Sequence, residues 1–172
     1  IPPLEQAINC GNCEIWNQRH APFRIYGNTY YVGTSGLSAI LITSPSGHVL
    51  LDAALPQSAS QIRDNIEALG FKVSDIKWIA NSHAHFDHAG GLLLADGARA
   101  FPRATIVAQR AEWEIAFDAN PRVVSGYDQA ELRLARAGTP QDDADGEREL
   151  LPGVSVIATG GHTAGHQAVV VR

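Results

Sequence analysis

Residues 81–91 read Asn-Ser-His83-Ala-His85-Phe-Asp87-His88-Ala-Gly-Gly, so four potential metal ligands fall within six residues. They stand directly behind the apolar run Ile76–Ala80. A fold that accepts this segment must end a buried strand in a ligand-bearing loop. In extended or looped backbone, alternate residues point the same way, so His83 and His85 converge on one ion. Asp87 and His88 then point elsewhere and serve a second ion close by. Imidazole and carboxylate suit zinc, which takes nitrogen and oxygen ligands in tetrahedral sites. The alternative is a polar loop whose histidines satisfy one another. Without a metal, however, that loop concentrates groups that repel when protonated.

A catalytic zinc keeps three protein ligands and an open position, so a further ligand is expected from elsewhere. Gly160-Gly-His162-Thr-Ala-Gly-His166 is the candidate. It follows the strand-like run Val154–Ala158, and its glycines let the backbone turn sharply. His48, in a hairpin turn, and His20 are expected to be exposed or structural.

The remaining elements suggest a layered α/β or α+β domain. Strands are expected over 28–32, 37–43, His48–Leu51, Ile76–Ala80, 104–108, Val154–Ala158 and 168–171. Ser58 and Gln61 have capping-box character ahead of an amphipathic helix over 59–69, and further helices are expected over 111–117 and 129–137. Residues 1–22 show no sustained period. The acidic tip Asp142-Asp143-Ala-Asp145 reads as a solvated loop, since a calcium site needs more oxygen ligands in a fixed pattern.

Composition narrows the classes. The 172 residues carry 13 Lys+Arg against 18 Asp+Glu and are 45% hydrophobic, which suits one globular domain spanning 1–172. This mild acidity, with no basic stripe, argues against a nucleic-acid surface. Apolar runs are far too short to cross a bilayer. A small-molecule substrate is the remaining expectation. Cys10 and Cys13 form a single C-x-x-C, too little for a zinc knuckle, and are read as incidental or locally bridged. The chain begins at Ile1 and carries no apolar leader, so it is read as processed or cut from something longer.

The motif H-x-H-x-D-H at 83–88, followed by Ala-Gly-Gly, resembles the signature of the metallo-β-lactamase superfamily of zinc hydrolases. Gly161-His162-Thr163 resembles its next metal motif, and Asp52 matches a family position that supports the metal loop. The resemblance implies an αββα sandwich. It also implies a first zinc on His83, His85 and His162, and a second on Asp87 and His88, with Asp87 orienting the attacking water.

The two halves resemble different branches. Trp16-Asn-Gln18, residues 21–33 and Leu50-Leu-Asp-Ala-Ala-Leu-Pro-Gln-Ser58 are similar to the third subclass of true metallo-β-lactamases, broad-spectrum enzymes of the bacterial periplasm. Gln109-Arg-Ala-Glu-Trp113 and Gly160-Gly-His-Thr-Ala-Gly-His-Gln167 are more similar to lactone hydrolases. His166 departs from the β-lactamase branch, which usually has a small hydroxyl residue there. Family members continue through another β-α half that delivers a final histidine to the second metal. The chain is therefore expected to be truncated at its C-terminal half, with a second site short of its distal ligand unless His166 is recruited. These expectations describe a periplasmic or secreted zinc β-lactamase. The alternatives are a lactone hydrolase acting on acyl-homoserine lactones, or a truncated zinc-binding fragment with little activity.

Overall fold

The computed structural model describes residues 8–172. The strands are β1 (Phe23–Tyr26), β2 (Thr29–Tyr31), β3 (Ile40–Ile42), β4 (His48–Leu51), β5 (Ile76–Ala80), β6 (Thr105–Gln109), β7 (Gln141–Ala144), β8 (Arg148–Leu151), β9 (Val154–Ala158) and β10 (Gln167–Val171). The helices are α1 (Cys13–Trp16), α2 (Ala59–Ala68), α3 (Phe86–Ala89), α4 (Arg110–Ala116) and α5 (Gln129–Gly138). Strands β1 to β7 form one sheet in sequence order, antiparallel up to β4 and parallel from β4 to β7. Strands β8 to β10 form a second, antiparallel sheet in the order β10-β9-β8.

The central strands are buried on both faces, and their two-residue period sorts side chains between two layers. Leu50, Ile79 and Ile106 face one layer with Ile62 and Ile66 of α2, Trp113 of α4 and Leu132 of α5. Val49, Ala80 and Val107 face the other, against Leu150, Leu151, Val154 and Val156 of the small sheet. The helices thus cover one face of the large sheet and the small sheet covers the other. This is the expected mixed α/β sandwich, and its parallel strands deliver their C-terminal ends to one rim. Buried amides tie the two sheets together at that rim. Gln109 Nε2 donates to Gln167 Oε1, while Gln167 Nε2 donates to the Asn81 and Val107 carbonyls.

Two local expectations need correction. Residues Asp142 and Asp143 do not form a loop tip but lie in β7, paired in parallel with β6. An acidic edge strand is tolerated because Asp143 pairs with Arg136 and Asp142 with Arg148, while Ala144 alone turns into the core. Nor does Ser58 cap α2. It lies in a 3₁₀ turn, Pro56–Ser58, and its hydroxyl donates to Asn17 Oδ1. Gln61 donates to the Asn17 carbonyl and accepts from His20 N. Both side chains therefore fasten the N-terminal segment, where 8–22 includes the short helix α1 and 1–7 lies outside the described residues. Cys10 and Cys13 are joined in a local disulfide.

Candidate metal centre

Strand β5 ends at Ala80 on the rim, and residues 81–85 form a bent loop, with His85 in extended backbone, before α3 begins. His83 is buried, His85 half-buried and His162 exposed, and one ring nitrogen of each lies within 4.8 Å of the others. His162 Nε2 stands 3.2 Å from His85 Nδ1. Two nitrogens on a tetrahedral zinc with bonds of ~2.1 Å stand about 3.4 Å apart, so the spacing is that of co-ligands. His83 Nε2 is buried without any hydrogen-bond partner. A buried nitrogen without a partner beside two converging imidazoles is a donor set that fits zinc.

The outer nitrogens are fixed by a network centred on Asp52, at the end of β4. Its carboxylate accepts from Ser82 N at 2.7 Å, the Ser82 hydroxyl at 2.8 Å and His88 Nδ1 at 2.9 Å. Because the Ser82 hydroxyl donates to Asp52, its oxygen is left to accept from His83 Nδ1, 3.1 Å away. That assignment places the His83 proton on Nδ1 and leaves Nε2 as the free lone pair. Burial, followed by the neighbouring His88, His85, His162 and His166, pushes the His83 pKa down to about 3, so the ring is neutral at physiological pH. His85 is likewise lowered, by burial and then His162. Burial also disfavours the charged form of His88, but its hydrogen bond to Asp52 and the charges of Asp52 and Asp87 outweigh that and raise it.

Asp87 and His88 share one turn in α3, with His88 Nε2 3.6 Å from Asp87 Oδ2. They lie beside the three-histidine set but outside it. His166 also stays outside. Its Nδ1 is held by the Thr159 hydroxyl at 2.8 Å, and its ring centroid is 5.5 Å from that of His83. His48 begins β4 and packs edge-on against Phe71, and His20 is exposed and bonds the Ala21 carbonyl, so both are structural. Behind the motif, a Cβ on Gly91 would meet the Ala53 carbonyl at 2.2 Å, so only glycine lets this loop lie against the end of β4. Sequence reasoning missed Glu112 and Tyr127, both buried beside the loop. The only available signal was a charged residue on the core-facing side of a short helix.

A family model described as the metallo-beta-lactamase superfamily matches residues 32–172. The chain belongs to that superfamily. Among solved structures, it is similar to the Rm3 metallo-beta-lactamase, with 38% identity and a TM-score of 0.72 over 94% of this chain and 60% of that one. A metallo-beta-lactamase of Cronobacter sakazakii shares 35% identity, with a TM-score of 0.69 over 91% of this chain and 59% of that one. Among curated proteins, it is similar to the N-acyl homoserine lactonase AttM of Rhizobium radiobacter, 31% identical over 164 residues, covering 77% of this chain and 58% of the relative. The chain thus spans about three fifths of the length of the superfamily members it matches. No helix among the described residues is long and apolar enough to cross a membrane.

Proposed function

We propose that this chain acts as a zinc-dependent hydrolase opening the β-lactam ring of antibiotics, with residues 1–172 working as a single superfamily domain. The observation that carries the reading is the convergence of His83, His85 and His162 on one point, with His83 Nε2 left without a partner. When bound, zinc supplies a hydroxide-strength nucleophile at neutral pH and polarises a carbonyl oxygen.

The chain's own residues supply the rest. His83, His85 and His162 bind through ring nitrogens, His83 with its proton parked on Nδ1 against Ser82. Asp87 and His88 offer a carboxylate oxygen and, at Nε2, a ring nitrogen for a second ion, while Asp52 holds His88 by its other nitrogen, Nδ1. Asp87 also orients the attacking water through its free oxygen. Neither cysteine is available as a nucleophile, because both are consumed in the disulfide. That disulfide supports a periplasmic or secreted location, where such bonds persist.

A second reading, lactone hydrolysis, is favoured by one observation: the similarity to N-acyl homoserine lactonases, at 31% identity for AttM. The test is hydrolysis of a chromogenic cephalosporin beside an acyl-homoserine lactone, with zinc and after chelation. Zinc-dependent cephalosporin turnover is expected. Turnover of the lactone alone assigns the second reading. Zinc binding without either turnover leaves a metal-binding chain with little activity.

A further inference from the structure

Glu112, in the first turn of α4, is fully buried. Its Oε1 accepts from Ala84 N at 2.8 Å and from the Tyr127 hydroxyl at 3.0 Å, and its Oε2 accepts from the Thr163 hydroxyl at 2.6 Å. Each donor adjoins a different part of the histidine set. Ala84 lies between His83 and His85, and Thr163 directly follows His162. Tyr127 sets its ring edge-on to His85 with centroids 4.6 Å apart. The His162 loop also lies flush on α4, since a Cβ on Gly165 would fall 2.1 Å from Glu112 N.

We propose that Glu112 is the positioning residue of the metal centre. Its one carboxylate spaces the His83–His85 loop from the His162 loop and so sets the separation of the three nitrogens. The inference rests on the reading that those histidines hold the ion. A buried carboxylate is costly to desolvate and is retained only where its oxygens are fully hydrogen-bonded. Here the three donors come from three segments far apart in sequence, and they meet only in the folded chain. An apolar residue would fill the space without linking the loops. Outer partners of this kind are worth about 10- to 100-fold in metal affinity.

The test uses the 172-residue chain with zinc and cobalt(II) as probes. Thr163→Val deletes one hydroxyl and cuts the link to the His162 loop, while Thr163→Ser keeps it. Glu112→Leu cuts all three links. By chelator competition, Thr163→Val and Glu112→Leu are expected to weaken zinc binding about 10- to 100-fold. Their cobalt visible spectra should change in shape and intensity as the third imidazole is displaced, and Thr163→Ser should restore both affinity and spectrum. Circular dichroism of the metal-free variants shows whether the fold persists. Should Glu112→Leu fail to fold, the Thr163 pair decides alone. Wild-type affinity and spectrum in Thr163→Val would overturn the inference, as would equal losses in Thr163→Val and Thr163→Ser. A wild-type chain that binds no cobalt, or a His85→Ala variant that binds as wild type does, would instead sink the metal reading on which it stands.

Discussion

His88 Nδ1 lies 2.9 Å from Asp52 Oδ2, across 36 residues of sequence. Asp52 holds that carboxylate from a left-handed backbone position, with φ of 59°, at the end of β4. Such a conformation is uncommon outside glycine and is best tolerated by asparagine and aspartate. The strain and the three accepted hydrogen bonds belong together. The turn aims one carboxylate at both Ser82 and His88, and so at both halves of the metal loop.

Asp52→Asn should keep the backbone and lose at least one of the three bonds. Metal-free stability is expected to fall by about 1–3 kcal/mol in urea denaturation, the usual cost of leaving a buried partner unsatisfied. The His88 pKa, held up against burial by Asp52 and Asp87, should drop in an NMR titration of the metal-free chain. An unchanged His88 titration would show that Asp52 does not control the ring.

Glu131 should make stability fall as pH rises. It is buried in α5, its Oε1 has no partner, and burial followed by the nearby Asp128 pushes its pKa from 4.5 up to about 9. Between those values the folded chain keeps a proton that the unfolded chain releases, so alkali favours unfolding by about 1.4 kcal/mol per pH unit. Glu131→Gln removes the proton difference. The variant should match wild type near pH 4 and exceed it at pH 8 in thermal unfolding. Equal stability of the two at pH 8 would refute the assignment.

The parts of this architecture legible in sequence are those written locally. Strands β4, β5 and β9 fall where the apolar runs do, because each contributes side chains to the buried layers. The H-x-H-x-D-H segment and the glycine-flanked His162 announce a metal by ligand type and spacing alone. Legibility ends where a residue's role depends on a distant partner. Asp142 and Asp143 look like loop residues until Arg148 and Arg136 are seen beside them. Ser58 and Gln61 look like a helix cap until Asn17 competes for them. Glu112 is a lone charge on the core-facing side of a short helix, and its role shows only when Ala84, Tyr127 and Thr163 close around it.

Zinc content and affinity in wild type, His85→Ala and His88→Ala, measured side by side, test the central claim most directly. Three imidazoles make a complete catalytic-type set, whereas Asp87 and His88 offer two ligands. Wild type should bind one zinc ion tightly, His85→Ala should lose it, and His88→Ala should retain it. Unchanged tight binding in His85→Ala, or its loss in His88→Ala alone, would place the ion elsewhere and contradict the assignment to His83, His85 and His162.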